Sequence, residues 1–355
     1  MNAVSPTIGL GVRIADLGNP AESARIDRFV AEHPLGSLFH RPQWTRAVER
    51  GCGQRAHFLV AEQGGALVGC LPLTEIRSRL FGNALVSAGF GTGGGVLAET
   101  DMAADRLVAA GWAIAERRGC PAMELRGGPF PELWTRQEGT YASFARDLPG
   151  DEAALLAALP RRQRAEVRRA RDFGVETSAG SDRRHRDAHF RVYGESVRNL
   201  GTPVFPRRLF DAMLDAFGGE ADVVMTWKDG QPLASMLTFY FKGVCQPYWG
   251  GGTIAARSWR ANDLVYFEAM RHGLARGCIR ADFGRSKVGT GPWQRKKIWA
   301  FDETPLVYAV RTADGRRPRE VNPMSPRYRL QVAAWQKLPL WLANRLGPPI
   351  ARGLG

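Results

Sequence analysis

The segment from Asp282 to Lys297, DFGRSKVGTGPWQRKK, concentrates residue types that bind ligands. It holds one carboxylate, three glycines and five Lys or Arg residues in sixteen positions. Guanidinium and ammonium groups bind phosphate or carboxylate oxygens, and glycine lets a backbone approach a ligand closely. Such a composition suits neither a core strand nor a core helix. We expect the segment to contact an anionic ligand, with solvated loop charges as the alternative.

An internal repeat identifies the elements that must position this segment. Cys120 precedes Glu124 by four residues and Cys278 precedes Asp282 by four, at an offset of 158 positions. A triple glycine recurs at nearly the same offset. Each copy shows strand-like runs, a glycine loop, an amphipathic helix and another strand. In the second copy the runs are DVVMTW, PLASMLTFYF, VCQPYW, the helix ANDLVYFEAMRHGLARG, CIRADFG, the short helix PWQRKKIWAF and TPLVYAV; the first copy runs from HFLVAE through AMELRG to TYASFARDL.

This order of elements is the core order of the GNAT-type acyltransferase fold. We therefore predict an α/β protein whose mixed sheet has helices on both faces. It would be built as two tandem GNAT-like domains, over residues 1–150 and 151–320, followed by a helical tail over 321–355. The second domain contains the Asp282 segment, so we expect it to carry the active site.

Composition limits the partners without choosing one. The chain has 355 residues and a net charge of +14, which favours nucleic acid, phosphorylated substrates, acidic polysaccharide or an anionic membrane. Its five cysteines are widely spaced and form no C-x-x-C pair, so neither a disulfide framework nor a metal site is indicated. The N-terminus lacks a signal-peptide pattern and no apolar run is long enough to span a bilayer. We predict a cytoplasmic protein.

The sequence also resembles a known family. The stretches FGRSKVGTGPWQRKKIWAF, PYWGGGTIAARS, NLGTPVFPRRLF and LPRRQRAEVRRA are similar to those of FemAB-like proteins, of the type associated with exosortase/PEP-CTERM systems. The FemAB/FemX peptidyltransferases are tandem GNAT-like proteins, so the resemblance agrees with the repeat. This chain departs from the family pattern where Arg295, Ile298 and Ala300 replace Phe, Asn and Gly. Those changes leave local details of that helix open.

The resemblance implies a function. Relatives with known activity move an amino acid from aminoacyl-tRNA to an amine of a peptidoglycan precursor, and the exosortase-linked branch is associated with exopolysaccharide or envelope precursors. We expect acyl or aminoacyl transfer to an amine of such a precursor. The donor is a co-substrate, aminoacyl-tRNA or acyl-CoA, and no cofactor is expected.

Two alternatives stay open. One is an ordinary acyl-CoA-dependent GNAT N-acyltransferase, in which Arg/Gln-x-x-Gly-x-Gly/Ala precedes a helix whose N–H groups hold the pyrophosphate. The corresponding residues 257–262 are RSWRAN, with arginine in place of the first glycine, which weakens the hypothesis of an acyl-CoA-dependent enzyme. The other alternative is a non-catalytic RNA- or polysaccharide-binding module.

Acyl transfer to an amine needs a proton acceptor and a donor to the tetrahedral oxyanion. We predict Asp282, at the end of its strand, as the acceptor or orienter of the amine; an ion pair with Arg285 or Lys287 is the structural alternative. Tyr248 is the candidate oxyanion donor, with packing in the cleft wall as its alternative. The predicted substrate-binding residues in the segment are Arg285, Lys287, Gly289, Gly291, Trp293, Lys296 and Lys297, the first two in a loop and the last two on an exposed helix turn.

Two further regions carry predictions. Arg161, Arg164 and Arg168 lie on one face of a predicted helix, where they would contact RNA or a lipid-linked phosphate, or serve only as a solvated face. The tail from Tyr328 to Leu346 alternates apolar and basic residues. It would dock on the protein, which we favour, or lie at a membrane interface.

Overall fold

The computed structural model describes residues 9–315 and 326–355, with side chains in the second range from Leu330 onward. These residues form two compact units. Of the described residues, the first unit contains 9–137, 307–315 and 353–355, and the second contains 138–306 and 326–352.

The first unit is a mixed sheet with three helices. Its strands are neighbours in the order β1, β2, β3, β4 and β6, all antiparallel except the parallel pair β4 and β6, while the short β5 pairs with β3. Helix α3 packs on β2 and β3 over a core of Leu, Val, Ala and Trp side chains. The elements are β1 (Gly11–Ile14), α1 (Pro20–Glu32), α2 (Pro42–Cys52), β2 (Ala56–Gln63), β3 (Ala66–Ser78), β4 (Gly82–Ser87), β5 (Leu97–Ala98), α3 (Asp101–Arg118) and β6 (Ala122–Arg126).

The second unit repeats this plan. Its strands are neighbours in the order β8, β9, β10, β11, β12 and β7, and only β11 and β12 are parallel. The elements from residue 135 onward are β7 (Thr135–Asp147), α4 (Glu152–Ala157), α5 (Arg161–Asp172), β8 (Glu176–Gly180), α6 (Arg183–Leu200), α7 (Arg207–Phe217), β9 (Ala221–Lys228), β10 (Gln231–Phe241), β11 (Val244–Gly252), α8 (Ala261–Ala275), β12 (Arg280–Lys287), α9 (Gly291–Ile298), β13 (Asp302–Thr312), α10 (Pro326–Gln336) and α11 (Leu340–Ala351). Residues 307–312 of β13 belong to the first unit.

The glycines that end β11 let two helices approach the sheet. A Cβ on Gly251 would lie 2.2 Å from Oγ of Ser196 on α6, and a Cβ on Gly252 would lie 2.0 Å from Oδ1 of Asn262 on α8. Successive strand residues point to opposite faces, so α6 and α8 cover opposite faces of the sheet. The predicted mixed sheet with helices on both faces is confirmed.

The last strand of each copy was placed wrongly by the repeat. The run TYASFARDL was expected to close the first copy, but residues 141–147 of β7 pair with β12 in the second unit. The run TPLVYAV was expected to close the second, but residues 308–312 of β13 pair with β6 in the first unit. Each unit thus takes its final strand from the other half of the chain. The division into domains at residues 150 and 320 stays a prediction.

Two general features bear on the expected location and chemistry. All five cysteines are buried. Among the helices of the described residues, none combines the length and apolar character that crossing a bilayer requires.

Candidate active site

The neighbouring strands β11 and β12 separate shortly after they meet. They pair in parallel at only two positions, Val244 with Arg280 and Cys245 with Ala281. Both strands, which the structure describes throughout, then continue without further pairing to each other. The separation opens a gap in the sheet, where the N–H and C=O groups of the two strands no longer form hydrogen bonds with each other. Such a gap can admit an extended ligand.

Tyr248 lies on β11 just past this separation. Leu237 of β10 pairs with Trp249, and Thr238 pairs with Pro247, so Tyr248 is the extra residue of a β-bulge. A bulge turns a side chain away from the regular alternation of the strand and is common beside active sites. The half-buried ring of Tyr248 packs edge-on against Trp249, with ring centroids 4.7 Å apart.

Asp282 lies on the other side of the separation and is held by a second bulge. Asp282 pairs with Ala145 and Arg285 with Ser143, so two residues of β12 face one of β7. Gly284, with a φ of 62°, supplies the left-handed backbone that this bend requires. The strand therefore runs on to Lys287, and the expectation that Asp282 ends its strand is wrong.

The carboxylate of Asp282 accepts two hydrogen bonds. The Gly284 N–H donates to its Oδ1 at 2.8 Å and the Ser143 hydroxyl at 3.4 Å. Burial raises the pKa of Asp282, and these hydrogen bonds and the charge of Lys296 only partly oppose the rise. A carboxylate with a raised pKa is a better proton acceptor near neutral pH. The geometry is compatible with the predicted role of Asp282.

Lys296 occupies a position that the sequence did not indicate. Its side chain is buried, with 7% of the residue exposed, so the expectation of an exposed helix turn is wrong at this residue. The ammonium donates to the carbonyl oxygens of Phe283, Gly284 and Arg285, at 2.6, 3.0 and 3.2 Å. Burial lowers the pKa of Lys296 to about 8, against the opposing charge of Asp282. All three ammonium protons thus hold the bulge, which leaves none for a donor's phosphate.

Arg285 and Lys287 lie on the strand itself. The sequence placed them in a loop, but β12 includes both and the turn begins only at Val288. The Arg285 guanidinium lies 4.8 Å from the ring centroid of Tyr141 on β7. Strand and ring restrict this cation, which therefore loses less entropy on binding than a loop arginine would.

Gly289 and Gly291 flank the turn that joins β12 to α9. A Cβ on either glycine would meet no atom within 4 Å, so both backbones border open space. Gly289 has a φ of 80°, whereas Gly291 begins α9 with an ordinary φ. The conformation of the turn therefore explains why residue 289 is glycine. The fold alone does not explain the glycine at residue 291.

Trp293 and Lys297 form a separate cluster on the outer side of α9. The Trp293 indole N–H donates to Oε1 of Glu303 at 2.7 Å, and the Lys297 ammonium lies 3.2 Å from the same carboxylate. The ammonium also lies 4.5 Å from the Trp293 ring centroid. These contacts account for both side chains without a ligand, and their predicted binding role stays a prediction.

The three arginines of α5 belong to a different part of the second unit. Arg161 and Arg168 are exposed, while Arg164 donates to the carbonyl of Ala157 at 3.1 Å. The helix packs against α8, where Glu166 forms an ion pair with Arg260 at 3.0 Å. The structure therefore groups these cations with the start of α8 and not with the bulge of β12.

Sequence reasoning missed the contribution of β7. Ser143 and Tyr141 contact Asp282 and Arg285 from a strand that lies about 140 residues earlier in the chain. The alternation in GTYASFARD marks a strand but says nothing of its partner. No signal in the sequence would have placed it at this site.

The comparisons with known proteins identify the class of fold. Residues 160–295 match the family model described as an acetyltransferase (GNAT) domain. No curated protein matches the chain in sequence. The family match, together with the repeated plan of the two units, supports a tandem GNAT fold, as predicted.

Solved structures of the same fold give more particular likenesses. The crystal structure of FemX is 14% identical, with a TM-score of 0.63 over 84% of this chain and 96% of that one. A tandem GNAT protein from the clavulanic acid biosynthesis pathway is 11% identical, with a TM-score of 0.54 over 88% and 100%. The C-terminal domain of a putative lysylphosphatidylglycerol synthetase from Agrobacterium fabrum is 12% identical, with a TM-score of 0.54 over 82% and 92%. At these identities the likeness concerns the fold.

Proposed function

We propose that this protein is an N-acyltransferase that moves an acyl or aminoacyl group to an amine, with its reaction centre in the gap between β11 and β12. The observation that carries the proposal is the half-buried carboxylate of Asp282, with a raised pKa, at the point where the two strands separate. The acetyltransferase family match over residues 160–295 supports the reaction class.

The chain's own residues can serve each step. A neutral amine attacks the carbonyl carbon of the donor, which forms a C–N bond and a tetrahedral oxyanion. Asp282 accepts the amine's proton, and the hydroxyl of Tyr248 donates a hydrogen bond to the oxyanion. The C–O bond of an aminoacyl ester, or the C–S bond of a thioester, then breaks. The leaving oxygen or sulfur takes up the proton that Asp282 accepted, which restores the carboxylate.

Aminoacyl-tRNA is the donor that we favour over acyl-CoA. The residue before α8 is Arg260, with a φ of 57° and an ion pair to Glu166, where an acyl-CoA-binding GNAT usually has glycine. The similarity in fold to FemX agrees with this choice. We propose an envelope or exopolysaccharide precursor as acceptor on the strength of the FemAB-like motifs, and the exosortase association on the same ground.

Binding and transfer assays test the proposal. We expect aminoacyl-tRNA, charged with a mixture of amino acids, to bind in a filter assay, and acetyl-CoA to give no heat in calorimetry. With a lysine-containing peptide as amine, the wild type should accelerate loss of the aminoacyl ester. Asp282→Asn should slow it by about 100-fold or more, whereas Asp229→Asn, in an exposed turn, should not.

The other outcomes discriminate the alternatives. Tight binding of acetyl-CoA with no binding of aminoacyl-tRNA would favour the acyl-CoA-dependent enzyme. Binding of RNA without any transfer, and with equal affinity in both Asp variants, would favour the non-catalytic module and overturn the proposal.

A further inference from the structure

Helix α11 has an inner face that the fold explains. Its small residues Ala343, Gly347 and Ala351 are buried, and α11 packs on α6. A Cβ on Gly347 would lie 2.9 Å from the backbone N of Val204, so the helix approaches too closely for any larger residue. The preference for docking of the tail is confirmed for this face.

The outer face of α11 has no such explanation. Trp341 is 68% exposed and Leu346 45% exposed, with Arg345 and Arg352 exposed beside them. At about 100° per residue, Trp341, Arg345 and Arg352 project within about 40° of one another. Leu346 projects about 100° from Arg345, toward the buried face. Docking requires only the inner face, and a polar outer face would serve solubility better than tryptophan and leucine.

Helix α10 also exposes an apolar side chain. Leu330 is 77% exposed. Between Leu330 and Gly355 the sequence contains three Lys or Arg residues and neither Asp nor Glu. Exposed apolar side chains interleaved with cations, without any acid, form a surface complementary to an anionic lipid interface, where indole and leucine enter the acyl boundary and cations meet headgroups. A nucleic acid would be complementary to the cations alone.

We propose that the outer face of α11, together with Leu330 of α10, binds the surface of membranes that contain anionic lipids. The helix would lie in the interface without crossing the bilayer, in keeping with its length of twelve residues, about 18 Å. This inference goes beyond the proposed function and does not depend on it.

Vesicle sedimentation with the full chain tests the proposal. The probes are vesicles of phosphatidylcholine alone and vesicles of equal parts phosphatidylcholine and phosphatidylglycerol. We expect the wild type to bind the anionic vesicles and to be released by high salt. Trp341→Ser should weaken binding by about tenfold or more, and Arg345→Ala by about fivefold.

A matched control separates this surface from exposed apolar residues in general. Leu133 is 97% exposed in the first unit, and Leu133→Ser should bind as the wild type does. Circular dichroism should show equal helix content in all variants, because the substituted side chains are exposed. The proposal would be overturned by a wild type that ignores anionic vesicles, by equal weakening in Trp341→Ser and Leu133→Ser, or by ultracentrifugation showing a dimer that Trp341→Ser dissociates, since the face would then be a self-association surface.

Discussion

The buried ammonium of Lys296 should give this protein a stability that depends on pH in the alkaline range. The pKa of Lys296 is lowered from 10.5 to about 8 by burial. Between these values the unfolded chain binds more protons at this residue than the folded chain does, so stability increases as the pH rises. From pH 7 to about pH 9.5 the increase from this residue is about 2 kcal/mol.

Replacing Lys296 with methionine should remove this dependence. The variant leaves the carbonyls of Phe283, Gly284 and Arg285 without their common donor, and each orphaned acceptor costs about 1 kcal/mol or more. At pH 7 the loss is offset in part, because a buried charge is removed as well. At about pH 9.5 that offset has largely gone, so the variant should fall further behind the wild type.

Urea unfolding at both pH values measures the difference directly, because other titrating groups are common to the two proteins. Lys297→Met is the matched control, since that neighbouring lysine is half-exposed and paired with Glu303. Its stability should follow the wild type across the range, within about 1 kcal/mol. A gap between wild type and Lys296→Met that stays constant within about 0.5 kcal/mol would refute the reasoning.

Three other predictions follow from the described contacts. Asp282→Asn keeps an oxygen for the Gly284 N–H, so its melting temperature should match the wild type while transfer falls by about 100-fold or more; parallel losses of both would contradict this. Gly284→Ala should lower the free energy of unfolding by about 1 kcal/mol, because the φ of Gly284 is 62°. Gly291→Ala should unfold in urea like the wild type, so any loss of donor binding in that variant reports a contact with the ligand. Burial lowers the pKa of His189 to about 3, so the free energy of unfolding should drop by about 2 kcal/mol from pH 7 to about pH 5. Denaturant titration should show a weaker dependence of this free energy on pH in His189→Phe, and an unchanged dependence would contradict the prediction.

The order of elements could be predicted because its signals are local. Apolar periodicity marked α8, and turn residues separated the strands. The glycines that were predicted as a loop instead end β11, where they allow the close approach of Ser196 and Asn262. Each of these signals depends on a residue's near neighbours in sequence. The fold class was therefore recoverable from the chain alone.

The site was less predictable because its geometry depends on distant partners. A bulge such as the one after Asp282 depends on the register between β12 and β7, and register leaves little trace in composition. Lys296 and Lys297 are adjacent cations, yet one is buried against β12 and the other is paired at the surface. The residue types singled out this segment as a candidate site, but they could not predict which of its cations would be buried.

The exchange of final strands changes what counts as a separable piece of this protein. The family match covers residues 160–295, which leaves out β7 altogether. A fragment cut at those limits would lose Ser143 beside Asp282 and Tyr141 beside Arg285. It would also present the edge of β12 to solvent, as a row of unpaired backbone groups that invites strands from other copies. A repeat in the sequence therefore does not mark a unit that folds alone: the half for which we propose the chemistry is completed by a strand from the other half of the chain.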